Sequence, residues 1–207
     1  FAQELKKRIE DAYTKRDDRL GWRLLYSPQH VLEGASVAFI GLNPGGDHVP
    51  TEHGEFAMQK ASAYTSESWG AAPGQAKLQR QAQALFQRLN VAPEDVLAGN
   101  LIPFRSPSWN AMNDRESALA FGKSLWSDIF ERARPSLVIT MGGDTINAVA
   151  DLLNVRDTER IPVGWGNVKG HRGSHRGGTL VGLPHLSRFA IIGRSQSEPG
   201  LQRLLRH

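Results

Sequence analysis

The sequence predicts an α/β fold, a three-layer α/β/α sandwich around a mainly parallel four-stranded sheet. Four short apolar runs carry the first observation: residues 36–41 (SVAFIG), 95–102 (DVLAGNLI), 136–141 (SLVITM) and 179–183 (TLVGL). Strands buried between two helical layers read as such near-continuous apolar runs. Segments with apolar residues at helical spacing separate them, and that alternation favours a parallel sheet. The chain of 207 residues suits a single domain over 1–207, able to bury roughly 70% of its unfolded surface. Residues 1–30 are expected as an N-terminal helical segment packed on that domain.

Taken in order, residues 2–18 are polar with Leu5, Ile9, Ala12 and Tyr13 recurring at helical spacing, which predicts an amphipathic helix. The first strand over 36–41 ends in glycine. The stretch 42–74 is rich in Gly, Pro, Ser, Thr and His. A loop of that length in a compact domain is expected to be functional or mobile. Residues 75–90 read as a helix with Leu78, Ala82, Leu85, Phe86 and Leu89 on one face. The second strand over 95–102 leads into an irregular PFRSPSW segment. Residues 114–134 form a long helix, striped by Leu125, Trp126, Ile129 and Phe130 and ended by Pro135. After the third strand, Gly142 and Gly143 turn the chain into a helix over 144–153. The fourth strand spans 179–183, and 196–206 can form a terminal helix. His171-Arg172-Gly173 and His175-Arg176-Gly177 form a local duplication, read as a basic turn.

Composition excludes several chemistries. With no cysteine, disulfides, thiol nucleophiles, iron–sulfur clusters and cysteine-ligated zinc are ruled out. A reducing, cytoplasmic setting fits that composition. No apolar run reaches the ~20 residues of a membrane span, and no signal-peptide pattern opens the chain. A start at Phe1 in place of Met fits the trimming of an N-terminal piece. The net charge of +4 is uneven, because residues 156–207 alone carry +6 and four of the seven histidines. A basic C-terminal quarter suits a polyanion partner, and equally a solvated surface.

In parallel α/β sheets, ligands bind beyond the carboxyl ends of the strands. That rule selects the loops after Gly41, Ile102, Met141 and Leu183. Gly41-Leu42-Asn43-Pro44-Gly45-Gly46 follows the first strand; glycines admit a ligand close to the backbone, and Pro44 fixes the turn. It has neither P-loop nor G-x-G-x-x-G spacing, and alone it is a plain turn. Asn100 stands near the end of the second strand. Gly142 and Gly143 open a helix whose free N–H groups suit a phosphate. Pro184-His185-Leu186-Ser187-Arg188 ends the fourth strand.

Together these four strand ends resemble the uracil-DNA glycosylase superfamily, over roughly residues 36–205. Gly41 to Gly45 (GLNPG) resembles the first motif of its mismatch-specific and single-strand-selective branches, and Leu183 to Arg188 (LPHLSR) a shortened second motif. The resemblance implies a monofunctional DNA glycosylase without cofactor or metal. Asn43 would orient the attacking water, and His185 would stabilise charge on the departing base. Asn100 would read the base edge, and Phe56, thirteen residues beyond Asn43, would stack on it. Gly41, Leu42, Pro44 and Gly45 would shape the pocket. The partner would be DNA, duplex or single-stranded, bound by a monomer. Lys169, His171, Arg172, His175, Arg176, Ser187, Arg188 and the Gly142-Gly143 helix start would contact it. Leu186 would be the wedge that enters the base stack, with Arg188 and Phe189 as alternatives.

The chemistry is consistent with these residue types. Extracting a base costs a few kcal/mol of unstacking, and stacking on an aromatic ring returns roughly 1–3 kcal/mol. An amide is no base, so Asn43 can only hold water over C1′, and departure of the base should lead; whether Asp47 or Glu55 assists the water stays open. Asp47, His48, Glu52, His53 and Glu55 lack the compact spacing of a metal site.

Two departures from the family pattern bear on substrate. Gly45 stands where the uracil-strict branch carries a tyrosine, which leaves room for a substituent at C5. The second motif lacks the Pro-Ser pair after its histidine. Excision of uracil or an oxidised pyrimidine, and excision of a hypermodified phage base such as glucosylated hydroxymethylcytosine, therefore both stay open. A non-catalytic module that binds modified DNA and a nucleotide enzyme on a similar scaffold are the competing functions.

Overall fold

A computed structural model of the chain describes residues 1–46 and 54–206. Asp47, His48, Glu52 and His53 lie outside them. The elements in chain order are α1 (Ala2–Thr14), β1 (Trp22–Arg23), β2 (Val37–Gly41), β3 (Gly54–Glu55), α2 (Ala63–Ser66), α3 (Lys77–Arg88) and β4 (Leu97–Asn100). There follow α4 (Arg115–Ala133), β5 (Leu137–Met141), α5 (Gly143–Leu152), β6 (Glu159–Trp165), β7 (Val168–His175), β8 (Gly178–Leu183) and α6 (Glu198–Leu204).

The α/β class is as expected, but the sheet is larger and mixed. Six strands run in the order β4-β2-β5-β8-β7-β6. The four expected strands are its parallel part, with Ile40 paired to Gly99 and Thr140, and Met141 to Leu183. β7 runs antiparallel to both β8 and β6. The segment over 159–175 escaped sequence reading because its glycines, prolines and charges break the apolar run; its burial alternates where the parallel strands are buried throughout. The expected basic turn over 171–177 is thus strand β7 as far as His175, with only Arg176 and Gly177 in a turn.

Alternate residues of the parallel strands feed two core clusters, one on each face of the sheet. Ala38, Ile40, Leu97, Val138 and Leu180 join Leu5 and Ile9 of α1 and the buried stripe of α4. Val37, Phe39, Ala98, Ile139 and Val181 join Leu85 and Phe86 of α3 and Leu201 and Leu204 of α6. Helix α1 buries Leu5 and Ile9 in the first cluster and ends at Thr14. Beyond it, Trp22 to Tyr26 runs extended beside the edge strand β4 and antiparallel to it: the Leu24 carbonyl accepts from Asn100 N at 2.9 Å and Tyr26 N donates to the Ala98 carbonyl at 2.8 Å. No helix among the described residues is long and apolar enough to cross a membrane.

Helix α4 sets the height of the β4 end. Trp126 Nε1 donates to the Asn100 carbonyl at 2.8 Å. Gly122 lets the helix approach so closely that a Cβ there would stand 2.3 Å from the Leu101 carbonyl oxygen. Gly122→Ala should therefore cost about 1–3 kcal/mol, as overpacking does. Urea unfolding checks this; an unchanged midpoint would show that the helix can shift without loss.

Candidate functional site

The carboxyl ends of the parallel strands open into one cleft of about 1130 Å³. Gly41, Leu42, Asn43 and Gly45 from the loop after β2, Asn100 from β4, Met141 from β5, and His185, Ser187 and Arg188 after β8 all line it. A depression of about 390 Å³ between α1 and α4 contains none of the residues singled out by sequence.

The loops after β2 and β4 run side by side. Leu101 N donates to the Gly41 carbonyl and Ile102 N to the Leu42 carbonyl, both at 2.8 Å, and Ser106 N to that of Pro44 at 3.1 Å. Asn43 Nδ2 donates to the carbonyls of Pro44 at 2.9 Å and Ser106 at 3.2 Å. Two carbonyl partners fix the amide orientation and leave Oδ1 as the outward acceptor. Pro44 is buried beneath the turn. Asn100 lies on the cleft floor with 2% of its surface exposed, its Nδ2 directed to the Arg23 carbonyl at 3.4 Å. Its Oδ1 accepts no hydrogen bond among the described residues.

His185 opens to solvent at the rim, with Nδ1 2.7 Å from Ser187 Oγ. Protein atoms crowding the ring, and then the Arg188 cation, hold its pKa below the ordinary histidine value. In the tautomer whose Nδ1 accepts from the Ser187 hydroxyl, Nε2–H is the free donor of a neutral imidazole; in the other, Nδ1–H donates to Ser187 Oγ.

Several expected site residues lie elsewhere. Phe56 is half buried against the core and does not line the cleft. Its neighbour Glu55 does, as strand alternation requires. Leu186 is fully buried in the cluster with Leu201 and Leu204, so it is no protruding wedge. Gly142 and Gly143 open α5 outside the lining, where the Asp144 carboxylate of the first turn faces the cleft. His171 meets Thr158 Oγ1 at 3.3 Å, and Arg172 donates to the Leu204 and Arg206 carbonyls after α6. The turn at His175 and Arg176 precedes β8, at the opposite end of the sheet from the cleft. Lys169, near the β6–β7 turn, is exposed at the cleft end.

Sequence reading missed one whole wall. Trp22, Arg23, Tyr26, Tyr64, Glu67, Trp69 and Arg105 line the cleft. Arg23 is buried; its guanidinium bonds both Glu67 oxygens, at 2.8 and 2.7 Å, and lies 3.3 Å from Glu55. Glu67 Oε2 also accepts from Trp69 Nε1 at 2.7 Å. Burial works to raise the Glu67 pKa, but the Arg23 bonds prevail and hold it below the usual range. Tyr26, Tyr64 and Trp69 meet edge to face at 5.3–5.5 Å between centroids. Burial pushes the Tyr64 phenol well above its usual range, so its hydroxyl stays protonated. The half-exposed Tyr26 and Trp69 rings of this wall, and Trp109 after β4, are flat surfaces that line the cleft. The buried Gln79 of α3 pins this wall, donating to the Ala63 and Glu67 carbonyls at 2.9 and 2.7 Å. The only sequence signal was an arginine within an otherwise apolar run, WRLLY over 22–26. No group of metal-ligating side chains occurs among the described residues.

Burial lowers the pKa of His171, His175 and His185 alike. The unfolded chain then binds more protons than the folded one below the ordinary histidine pKa of about 6.5, so stability falls with acid. The lowered Glu67 pKa adds a loss of the same sign at lower pH. The melting temperature should climb from about pH 5 to pH 7; a flat or falling profile would contradict these environments. No family model and no curated protein matches this chain, so the residues themselves carry the functional reading.

Proposed function

We propose that the protein is a monofunctional DNA glycosylase that hydrolyses the N-glycosidic bond of an extruded pyrimidine and leaves an abasic site. One observation supports this above all. Asn43, Asn100 and His185, far apart in the chain, line a single cleft with an outward acceptor, an open amide oxygen and an imidazole whose pKa is held down. A base drawn into the cleft would lie against Tyr26 or Trp69, with its edge at Asn100. As the glycosidic bond breaks, its electron pair passes to the base. The His185 Nε2–H hydrogen bond strengthens as that charge grows, which is the condition for catalysis. Asn43 Oδ1 accepts from a water poised to add to C1′, and Glu55 on the same wall is the carboxylate that can take its proton. The enzyme acts on DNA as a cytoplasmic monomer, without metal or cofactor.

Cleft size favours a second reading of substrate. At about 1130 Å³ the cleft exceeds the roughly 300–1,000 Å³ of most small-molecule sites. Glu55 and Glu67 beside aromatic rings also suit the hydroxyls and apolar faces of a sugar. A glycosylated pyrimidine, such as glucosylated hydroxymethylcytosine, fits that chemistry.

The test is free-base release from duplexes carrying uracil, hydroxymethyluracil or glucosylated hydroxymethylcytosine. Asn43→Ala and His185→Ala should each slow release about 10²–10³-fold with DNA binding retained. Binding without release from any substrate would make the protein a non-catalytic reader of modified DNA. Release undiminished in both variants would overturn the assigned roles.

A further inference from the structure

The turn joining β6 to β7 lies at the same end of the sheet as the cleft, because β6 is antiparallel to β7 and β7 to β8. It carries Trp165, 36% exposed and, with Phe1, one of two large apolar side chains so exposed among the described residues. The indole is held in place. Its ring meets Phe189 edge to face at 5.9 Å, and the Arg194 guanidinium lies 4.9 Å from its centroid. Arg194 also donates to the Gly164 carbonyl. Gly164 adopts φ +67°, and a Cβ there would stand 1.9 Å from the Gln196 carbonyl oxygen, so glycine alone lets the hairpin seat on that loop.

The surroundings are cationic and continuous with the cleft. Arg188 lines the cleft rim, and the next residue is Phe189, which touches Trp165. Lys77 Nζ donates to the Arg188 carbonyl at 3.2 Å, and Lys169 is exposed four residues after Trp165. Lys77, Arg188 and Arg194 form no ion pair among the described residues. Aromatic faces among unpaired cations are how proteins hold single nucleic-acid strands: phosphates meet the charges, and bases stack on the rings.

We propose that Trp165 is a second nucleic-acid contact, a stacking platform for a base of the strand that runs past the cleft rim. This rests on the DNA reading above and takes over the place at the base stack that the buried Leu186 cannot fill. Trp165→Ala should weaken binding of a fluorescein-labelled single-stranded oligonucleotide roughly 5–100-fold, matching the loss of one base–aromatic stack. Trp165→Phe should retain most of the affinity. Trp165→Leu keeps an apolar contact with Phe189 without an aromatic face, and it replaces the alanine variant if thermal melting shows that one to be unfolded. Wild-type binding with equal affinity in the folded alanine or leucine variant overturns the platform and leaves the glycosylase reading standing. A wild-type protein that binds neither single-stranded nor duplex DNA overturns both.

Discussion

The cleft depends on a buried guanidinium. Arg23 comes from the N-terminal segment, is 5% exposed, and joins the end of α2 through Glu67 and β3 through Glu55. It also lies 4.4 Å from the centroid of the Tyr26 ring. A charge so far from water is tolerable only with paired, hydrogen-bonded partners. Each partner is thereby fixed, and of them only Glu55 was singled out from sequence. The Arg23 carbonyl in turn receives the Asn100 amide. One residue thus couples the stacking wall to the group on the cleft floor.

The Asn43 side of the cleft is positioned differently, by backbone groups. The loops after β2 and β4 exchange hydrogen bonds from Gly41 to Ser106, which settles the Asn43 amide before any ligand arrives. Preorganised groups of this kind lose little on reaction, since no reorientation is needed as charge develops. His185 gains its neutral state from its crowded setting, and its Nδ1 is engaged by Ser187 Oγ.

What the sequence made legible follows from locality. The parallel strands showed themselves because burial on both faces demands unbroken apolar runs, as in Val37–Gly41 and Leu137–Met141. Their carboxyl ends then located Asn43, Asn100 and His185. The hairpin from β6 to β7 was hidden, because the edge strand β6 tolerates Arg160 and Pro162 and the only partly buried β7 carries Lys169, His171 and Arg172. Phe56 and Leu186 misled for a single reason: an apolar residue near a motif carries no sign of which way it points. Charge misled similarly. The basic stretch 169–176 reads as one patch, yet the strand carries Lys169 toward the cleft end and Arg176 to the far end, while Arg172 is spent on carbonyls after α6.

The central claim is that a single base occupies the cleft between Asn43, Asn100 and the aromatic wall. Photocrosslinking with an oligonucleotide carrying one 5-iodouracil tests it most directly, because that base couples to aromatic rings within contact distance. The account predicts crosslinked peptides containing Tyr26 or Trp69, abolished by Trp69→Leu and Tyr26→Leu together. Crosslinks confined to other surfaces, with none in the cleft, would contradict it.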